Sequence, residues 1–334
     1  MKLRHLLLLL PFNFCLLPFA FSLCLLPFAY CHSSAQIPFR LAILDLQGDE
    51  GGRIASLLRA SASEDKTVSF ELIDQDLIRV AARGAGYDGS LNLSRHEARA
   101  LGNSIGCDYY ILGKVQVARR LGPGEHYYFE ALAGLFIVET RTGRLIKFVF
   151  EQAKKASEQE AQMQLEELIK GGWGKDAGAI ISERQKQMGE IENTLHRPSP
   201  IIEVFNEESE GKGIQQPVFY QRLKPAYTEQ AELAGITATV ELEVEFGEDG
   251  RVGEVEVVRW AGFGLDESAI ATVRVLRFKP AGRDGKGLTI RGLVRYNFRR
   301  PHSQAAKPQA LSQEEIDRLK ESLRGILRPG QRPR

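Results

Sequence analysis

The sequence carries almost no surplus of charge: across 334 residues, 44 Lys and Arg stand against 43 Asp and Glu, a formal net charge of +1. A general nucleic-acid binder needs a basic excess, so nucleic acid is set aside as a partner. Cysteine is scarce as well. Of the four, Cys15, Cys24 and Cys31 crowd into the N-terminal stretch, and Cys107 stands alone in the body. One thiol cannot make a disulfide framework, even in an oxidising compartment. Metal-ligand spacing is missing too: the six histidines are scattered, with no H-E-x-x-H pair, so no metal centre is implied. His96 and His126 read as surface residues, and Cys107, just ahead of a strand of buried type, as an inert thiol. "LQGDEGG" at 46–52 has the glycines of a phosphate loop but neither G-x-G-x-x-G nor a G-K-[ST] ending, so no nucleotide or other cofactor is implied. Without a nucleophile, base or metal cluster, the chain does not read as an enzyme.

A long apolar run is present, at the N-terminus. Lys2 and Arg4 precede an uncharged stretch from Leu6 to Tyr30. One reading is a signal peptide over 1–35, with Ser33-Ser34-Ala35 as the small-residue cleavage site. The other is an uncleaved anchor over 6–30, since a membrane span takes ~20 apolar residues. Pro11, Pro18 and Pro27 would each disturb a spanning helix. Against that, the run exceeds the ~7–15-residue apolar core of a typical signal. "FSLC" and "FAYC" are poor lipoprotein boxes. In either case the positive end stays inside and the body is exported.

Residues 38–151 read as an α/β sheet domain covered by helices. "FRLAILDL" and "VSFELID" are short strands around a helix, "GGRIASLLRAS". Asp76 opens a second helix, and Ser94 with Glu97 forms an S-x-x-E capping box for a third. "CDYYILGKVQVA" and "YYFEALAGLFIVETRTGRLIKFVFE" supply further strands, the last two joined at Thr142-Gly143. This β-α-β-α-β-β-β order implies a compact sheet covered by helices. In "LAILDL", "FELIDQDLI", "ALGNSIGCDYYILGKV" and "GLFIVETRTGRLI" the domain resembles the sheet domain of TolB N-terminal and CsgG/LpoB-like envelope proteins. Such domains are assembly or partner-binding modules. A charged, helical linker covers 152–216, and "RPSP" and "NEESEGKG" punctuate it. A polar tail over 301–334 holds an amphipathic helix, boxed by Ser312 and Glu315, with Ile316, Leu319, Leu323 and Ile326 as its stripe.

The span 217–300 is the most regular, and it makes the fold α+β overall. "PAYTEQAELAG" is a short helix ending at Gly235. "ATVELEVEF" alternates, with Val240, Leu242, Val244 and Phe246 on one face. Asp249-Gly250 turns the chain into "RVGEVEVVRW". "GFGLDESAIATVRVLRFKP" is a helix with Asp266 and Glu267 in its first turn, Ala269, Ile270, Val273 and Leu276 as its stripe, and Lys279-Pro280 as its stop. A last strand puts Ile290, Val294, Tyr296 and Phe298 on one face. The expectation is a small three-stranded antiparallel sheet with helices on one face.

Several short motifs carry a specific resemblance. Pro225-Ala226-Tyr227, the Ala231 to Gly235-Ile236 step, Asp249-Gly250-Arg251-Val252, Gly264-Leu265-Asp266-Glu267 and Arg277-Phe278-Lys279-Pro280 follow one another. In these the region resembles the C-terminal domain of TonB-family energy transducers. Pro225, Tyr227, Gly250, Gly264, Leu265, Asp266, Glu267, Phe278 and Pro280 are then its structural motif. The resemblance implies a cell-envelope, periplasmic protein that binds a peptide of an outer-membrane TonB-dependent receptor. The peptide adds as a strand beside the last strand. The implied edge is Thr289, Ile290, Arg291, Gly292, Leu293, Val294, Arg295, Tyr296, Asn297 and Phe298, with Arg291 and Arg295 on one face, open to solvent or to a partner.

The resemblance further implies an ExbB/ExbD-like inner-membrane motor and leaves a homodimer open. Here the sequence departs from the pattern. Lys224 and Thr228 stand where relatives carry Gln and Pro, the Pro-rich spacer is missing, and His5 and His32 flank the apolar run instead of lying in it. Two readings therefore stay open: an energised transducer of transport, and a non-energised periplasmic scaffold that uses the same domain to dock a partner.

Overall fold

A computed structural model describes residues 38–300 apart from 65–67, 69, 123, 125, 173–180, 182–202 and 205–213. The leader over 1–35, the tail helix within 301–334 and most of the linker lie outside the described residues. The first sheet contains β1 (Phe39–Ile43), β2 (Phe70–Leu72), β3 (Tyr109–Leu121), β4 (Tyr127–Glu139) and β5 (Arg144–Lys155), in the order β2-β1-β3-β4-β5. β1 lies parallel to both β2 and β3. β3, β4 and β5 run antiparallel as a meander. Leu41, Ala42 and Ile43 are buried in succession, as a strand covered on both faces requires.

Each helix start has a local cause. α1 (Arg53–Glu64) begins where the Asp49 carboxylate accepts from the N–H groups of Ile54 and Ala55. α2 (Gln75–Gly84) is capped by Asp74, which accepts from Asp76 and Leu77; the opener is therefore two residues earlier than the expected Asp76, because Asp74 is the residue still in extended backbone whose oxygen reaches those donors. α3 (Arg95–Ile105) has the expected capping box of Ser94 and Glu97, and Gly106 closes it in the left-handed region at φ 76°. A fourth helix, α4, spans 158–172.

The sheet has two unlike faces. Leu41, Ile43, Ile111, Leu135 and Ile137 pack against α1 and against Ala161, Leu165 and Ile169 of α4. On the other face, Ala42, Leu44, Tyr110, Leu112, Phe136 and Val138 meet α2 and α3, and beyond them the C-terminal region.

That region adds β6 (Glu203–Val204), β7 (Val218–Phe219), α5 (Glu229–Ala234), β8 (Ala238–Phe246), β9 (Val252–Arg259), α6 (Leu265–Arg274), β10 (Phe278–Lys279), β11 (Ala281–Arg283), β12 (Lys286–Leu288) and β13 (Ile290–Phe298). β13, β8 and β9 form the three-stranded antiparallel sheet, with β6 as a two-residue addition beside β13. β8 is buried at every second residue from Ala238 to Phe246. α6 backs that face with Leu265, Ala269 and Val273. Gly250, at φ 78°, completes the β8–β9 turn, where the Gly247 N–H donates to Arg251 O.

One boundary differs from the sequence reading. The helix expected to run to Lys279 ends at Arg274. Leu276 N–H closes a tighter turn onto Val273 O, and Phe278–Lys279 then pairs with β7 as β10. Phe278 is drawn into an aromatic cluster, 5.1 Å from the Phe246 ring and 5.9 Å from the Phe219 ring. Ring packing outweighs helix extension there, because edge-to-face aromatic contacts add ~0.5–1.5 kcal/mol beyond area burial.

Candidate partner-binding edge

β13 pairs with β8 along its whole length, from Ile290 opposite Phe246 to Phe298 opposite Ala238. Its other side is different. Among the described residues only Ile290 and Arg291 have partners there, Glu203 and Val204 of β6, in parallel. Among the described residues no strand pairs with 292–298 on that side. An unpaired strand edge presents a row of backbone donors and acceptors, which is the template for adding another strand.

The two faces of β13 are divided by register. Ile290 and Phe298 are buried, and Val294 and Tyr296 pack partly onto the core. Burial pushes the Tyr296 phenol above its ordinary range. On the opposite face Arg291 Nη2 lies 3.0 Å from Glu254 Oε2 and 3.7 Å from Glu245 Oε2. Arg295 Nε donates to Glu241 Oε1 at 2.7 Å, and Glu241 also meets Arg259 Nε at 3.5 Å. The Thr239 hydroxyl and Asn297 Oδ1 lie 2.8 Å apart. Both arginines are thus engaged by glutamates of β8 and β9. Leu293 is different: it is 58 % exposed in the middle of the strand.

The motif residues hold this strand from behind. The single Tyr227 hydroxyl proton is shared between the carbonyls of Ala231 and Ile236, tying α5 to the turn that leads into β8. Gly264 caps α6 at φ 75°, and a Cβ there would lie 3.2 Å from Thr228 Cγ2. Leu265 is fully buried, and Glu267 is exposed. Pro225 is half-buried, and Pro280 packs near Gly250. Asp266 does not cap its own helix. It is buried and accepts from the N–H groups of Ala261 at 2.8 Å and Gly262 at 2.9 Å, in the loop before the helix. Burial drives its pKa from 3.8 up to about 7, against the lowering effect of those two bonds.

That loop carries the feature the sequence did not disclose. Gly262, Phe263 and Gly264 are all left-handed, with φ of 68°, 52° and 75°. For Phe263 this is strained backbone. The bend drives its ring, 0 % exposed, against β4 and β5: the ring centres of Phe148, Phe136 and Phe150 lie 4.8, 5.9 and 6.0 Å away. Gly134 makes room, since a Cβ there would lie 2.7 Å from Phe263 Cζ. Polar contacts frame the joint. Asn92 Nδ2 donates to Thr239 O at 2.8 Å and to Trp260 O, and its Oδ1 accepts from Thr239 N–H at 2.9 Å. Lys114 Nζ donates to Ala234 O at 2.8 Å, and Arg95 Nη2 lies 2.6 Å from Glu256. The "GFG" string was the available signal, but it reads as a chain break until the facing Gly134 is known.

The remaining sequence candidates fall elsewhere. His96 and His126 are exposed and far apart in the chain. Cys107 is buried beside Thr140 and Gly102, and burial pushes its thiol up to about 11. The 46–52 loop serves α1 through Asp49, and Gly48 lets the chain approach Val115 O closely. A cleft of about 300 Å³ lies over it, where Arg53 is held by Glu166 and Gln162. Among the described residues no cluster of His, Cys, Asp and Glu could hold a metal ion, and no helix is long and apolar enough to cross a membrane.

Residues 224–299 match the family described as Gram-negative bacterial TonB protein C-terminal. No curated protein matches the sequence. Solved structures similar to the chain include lipoprotein GNA1162 from Neisseria meningitidis, at 11% identity over 40% of this chain and 96% of that one, with a TM-score of 0.29. Another is the PelC dodecamer from Paraburkholderia phytofirmans, at 10% identity over 41% and 86%, with a TM-score of 0.27. A third is the LpoB C-terminal domain from Salmonella enterica, at 13% identity over 36% and 86%, with a TM-score of 0.24.

Proposed function

We propose that this is a TonB-like periplasmic protein whose β13 edge binds an extended segment of an outer-membrane TonB-dependent receptor by strand addition. The observation that carries the reading is that one side of 292–298 has no strand partner among the described residues, within the region that matches the TonB C-terminal family. Backbone bonds along that edge supply affinity, and alternate side chains supply selectivity. Leu293 offers an apolar contact, and the arginines are already paired with glutamates of the neighbouring strands. Coupling to an ExbB/ExbD-like motor needs a chain held in the inner membrane. A homodimer formed edge to edge would compete for the same strand.

A specific observation favours a second reading, the non-energised scaffold. The C-terminal module shares one hydrophobic core with the N-terminal sheet, so it is a fixed part of a larger body and not a head on a spacer.

One titration tests strand addition. Peptides from receptor N-terminal segments are measured against the full chain, each also N-methylated at alternate residues along one edge or the other. Strand addition predicts binding that one methylation pattern abolishes and the other spares. Binding that is absent, or insensitive to both patterns, would overturn the reading. Sequencing the N-terminus of the protein from cells separates the two roles: an intact chain supports the transducer, and cleavage after Ala35 supports the scaffold.

A further inference from the structure

We infer that residues 203–204 are a built-in placeholder strand, which occupies one end of the binding edge and must be displaced before a partner strand can use its full length. The inference rests on the strand-addition reading of β13 given above. Its basis is the parallel pairing of Glu203 with Ile290 and Val204 with Arg291. These are the first two positions of β13, and the side they occupy is the one that has no strand partner over 292–298 among the described residues.

The local sequence suits the role. "IIEVF" at 201–205 is rich in β-branched and aromatic residues with one acidic residue at its centre, a composition that favours an extended, pairing backbone. It interrupts a stretch otherwise made of prolines, glycines and charges, from "RPSP" to "NEESEGKG". The segment is also tethered close to the edge it occupies. Nine residues separate Val204 from Ile214, which is buried, and the next residue, Gln215, exchanges backbone bonds with Gly282 of β11 at 2.7 and 3.1 Å. A short tether gives its strand an effective concentration of order mM. A two-residue pairing is weak in itself, so the tether is what makes it a competitor. It also keeps the contact displaceable, as a placeholder must be.

The arithmetic is that of a blocked fraction: the apparent affinity of an incoming strand falls by the share of molecules whose edge is open. Val204→Pro removes an N–H and fixes φ, which disfavours the placeholder. The probe is a synthetic peptide of residues 199–208 of this chain, added in trans to the full-length protein and to the full-length Val204→Pro variant. Amide hydrogen exchange over 290–292 is followed in the same pair. The placeholder predicts that these amides exchange about tenfold or more faster in the variant, and that the variant binds the peptide about threefold or more tightly than the parent does. A peptide carrying the same proline should bind neither protein. Unchanged exchange together with equal peptide binding would overturn the placeholder. If the self-peptide binds the variant but receptor peptides bind neither protein, the placeholder stands and the receptor reading falls. Circular dichroism of the variant identical to the parent's ties the outcome to the edge and not to unfolding.

Discussion

At the scale of single residues, Asp266 is the group whose environment contradicts its position in the sequence. A carboxylate in the first turn of a helix ordinarily serves the helix dipole. Here it turns back and holds the loop that points Phe263 at the neighbouring sheet. Its folded pKa, about 7, lies above its ordinary 3.8. The folded state therefore keeps a proton that the unfolded chain releases. This stability contribution is fully present below the unfolded pKa and is lost as pH rises through about 7. The slope is at most ~1.4 kcal/mol per pH unit within that window. Asp266→Asn removes the titration and sets an amide NH2 against a backbone donor, at a cost of about 1–3 kcal/mol. Urea unfolding at pH 5, 6, 7 and 8 should show the parent's advantage over Asp266→Asn shrinking as pH rises. A constant difference would mean the carboxyl is ionised throughout.

At the scale of elements, β13 joins two kinds of contact that the sequence did not separate. Arg291 and Arg295 were legible as one face of a strand, but whether solvent, partner or neighbouring strand takes them depends on register, which one strand cannot reveal. The structure sets Arg295 opposite Glu241 and Arg291 opposite Glu245. A double-mutant cycle on Arg295→Ala and Glu241→Ala should give a coupling of ~0.2–1 kcal/mol, the range for an exposed cross-strand pair. Arg295→Ala alone should shift the affinity for an added strand by less than about twofold, because a rim charge mainly alters on-rate and salt dependence. A tenfold loss of affinity on isothermal titration would instead place the guanidinium in the partner contact. The elements that were legible are those with a period to read. β8 alternates over its whole length, and α3 carries its box. β6, β7 and β10 are two residues each, too short for any period, and they form only because partners distant in the chain meet them: β6 lies beside Ile290 and Arg291, and Phe219 of β7 pairs with Phe278 of β10. The premature end of α6 has the same origin.

At the scale of the whole molecule, the question is whether the two sheets unfold as one body. A composition break over 152–216 argues for separate modules, because a polar, charged segment is the usual mark of a boundary. The packing argues the other way. One continuous core runs from Ala42 and Tyr110 of the first sheet, through Phe136 and Phe263, to Leu242 and Val273 of the second region. Contacts between positions so distant in the chain leave no periodic trace, which is why the shared core was not legible while each half was. The joint concentrates on Phe263, fully buried among three phenylalanines, with its strained backbone held by Asp266 and by Thr228 Oγ1 on its carbonyl. Phe263→Ala should remove about 3–5 kcal/mol, the cost of emptying an aromatic site in a core. If the core is energetically continuous, that loss reaches both halves. Unfolding in urea, read by amide exchange in β4 and in β8, should give one midpoint for the parent and one lower midpoint for the variant. Two midpoints in the parent, with only that of β8 moved by the substitution, would show that the sheets touch without sharing stability. A shared midpoint carries a consequence for β13: a load applied at its edge is borne by the N-terminal sheet as well, so the resistance of the edge to pulling should fall in the Phe263→Ala variant, 27 residues or more away in the chain from the strand being pulled. Single-molecule force spectroscopy, with the pull applied at residue 298 and at residue 38, measures that directly. An unchanged rupture force would confine the joint's role to folding.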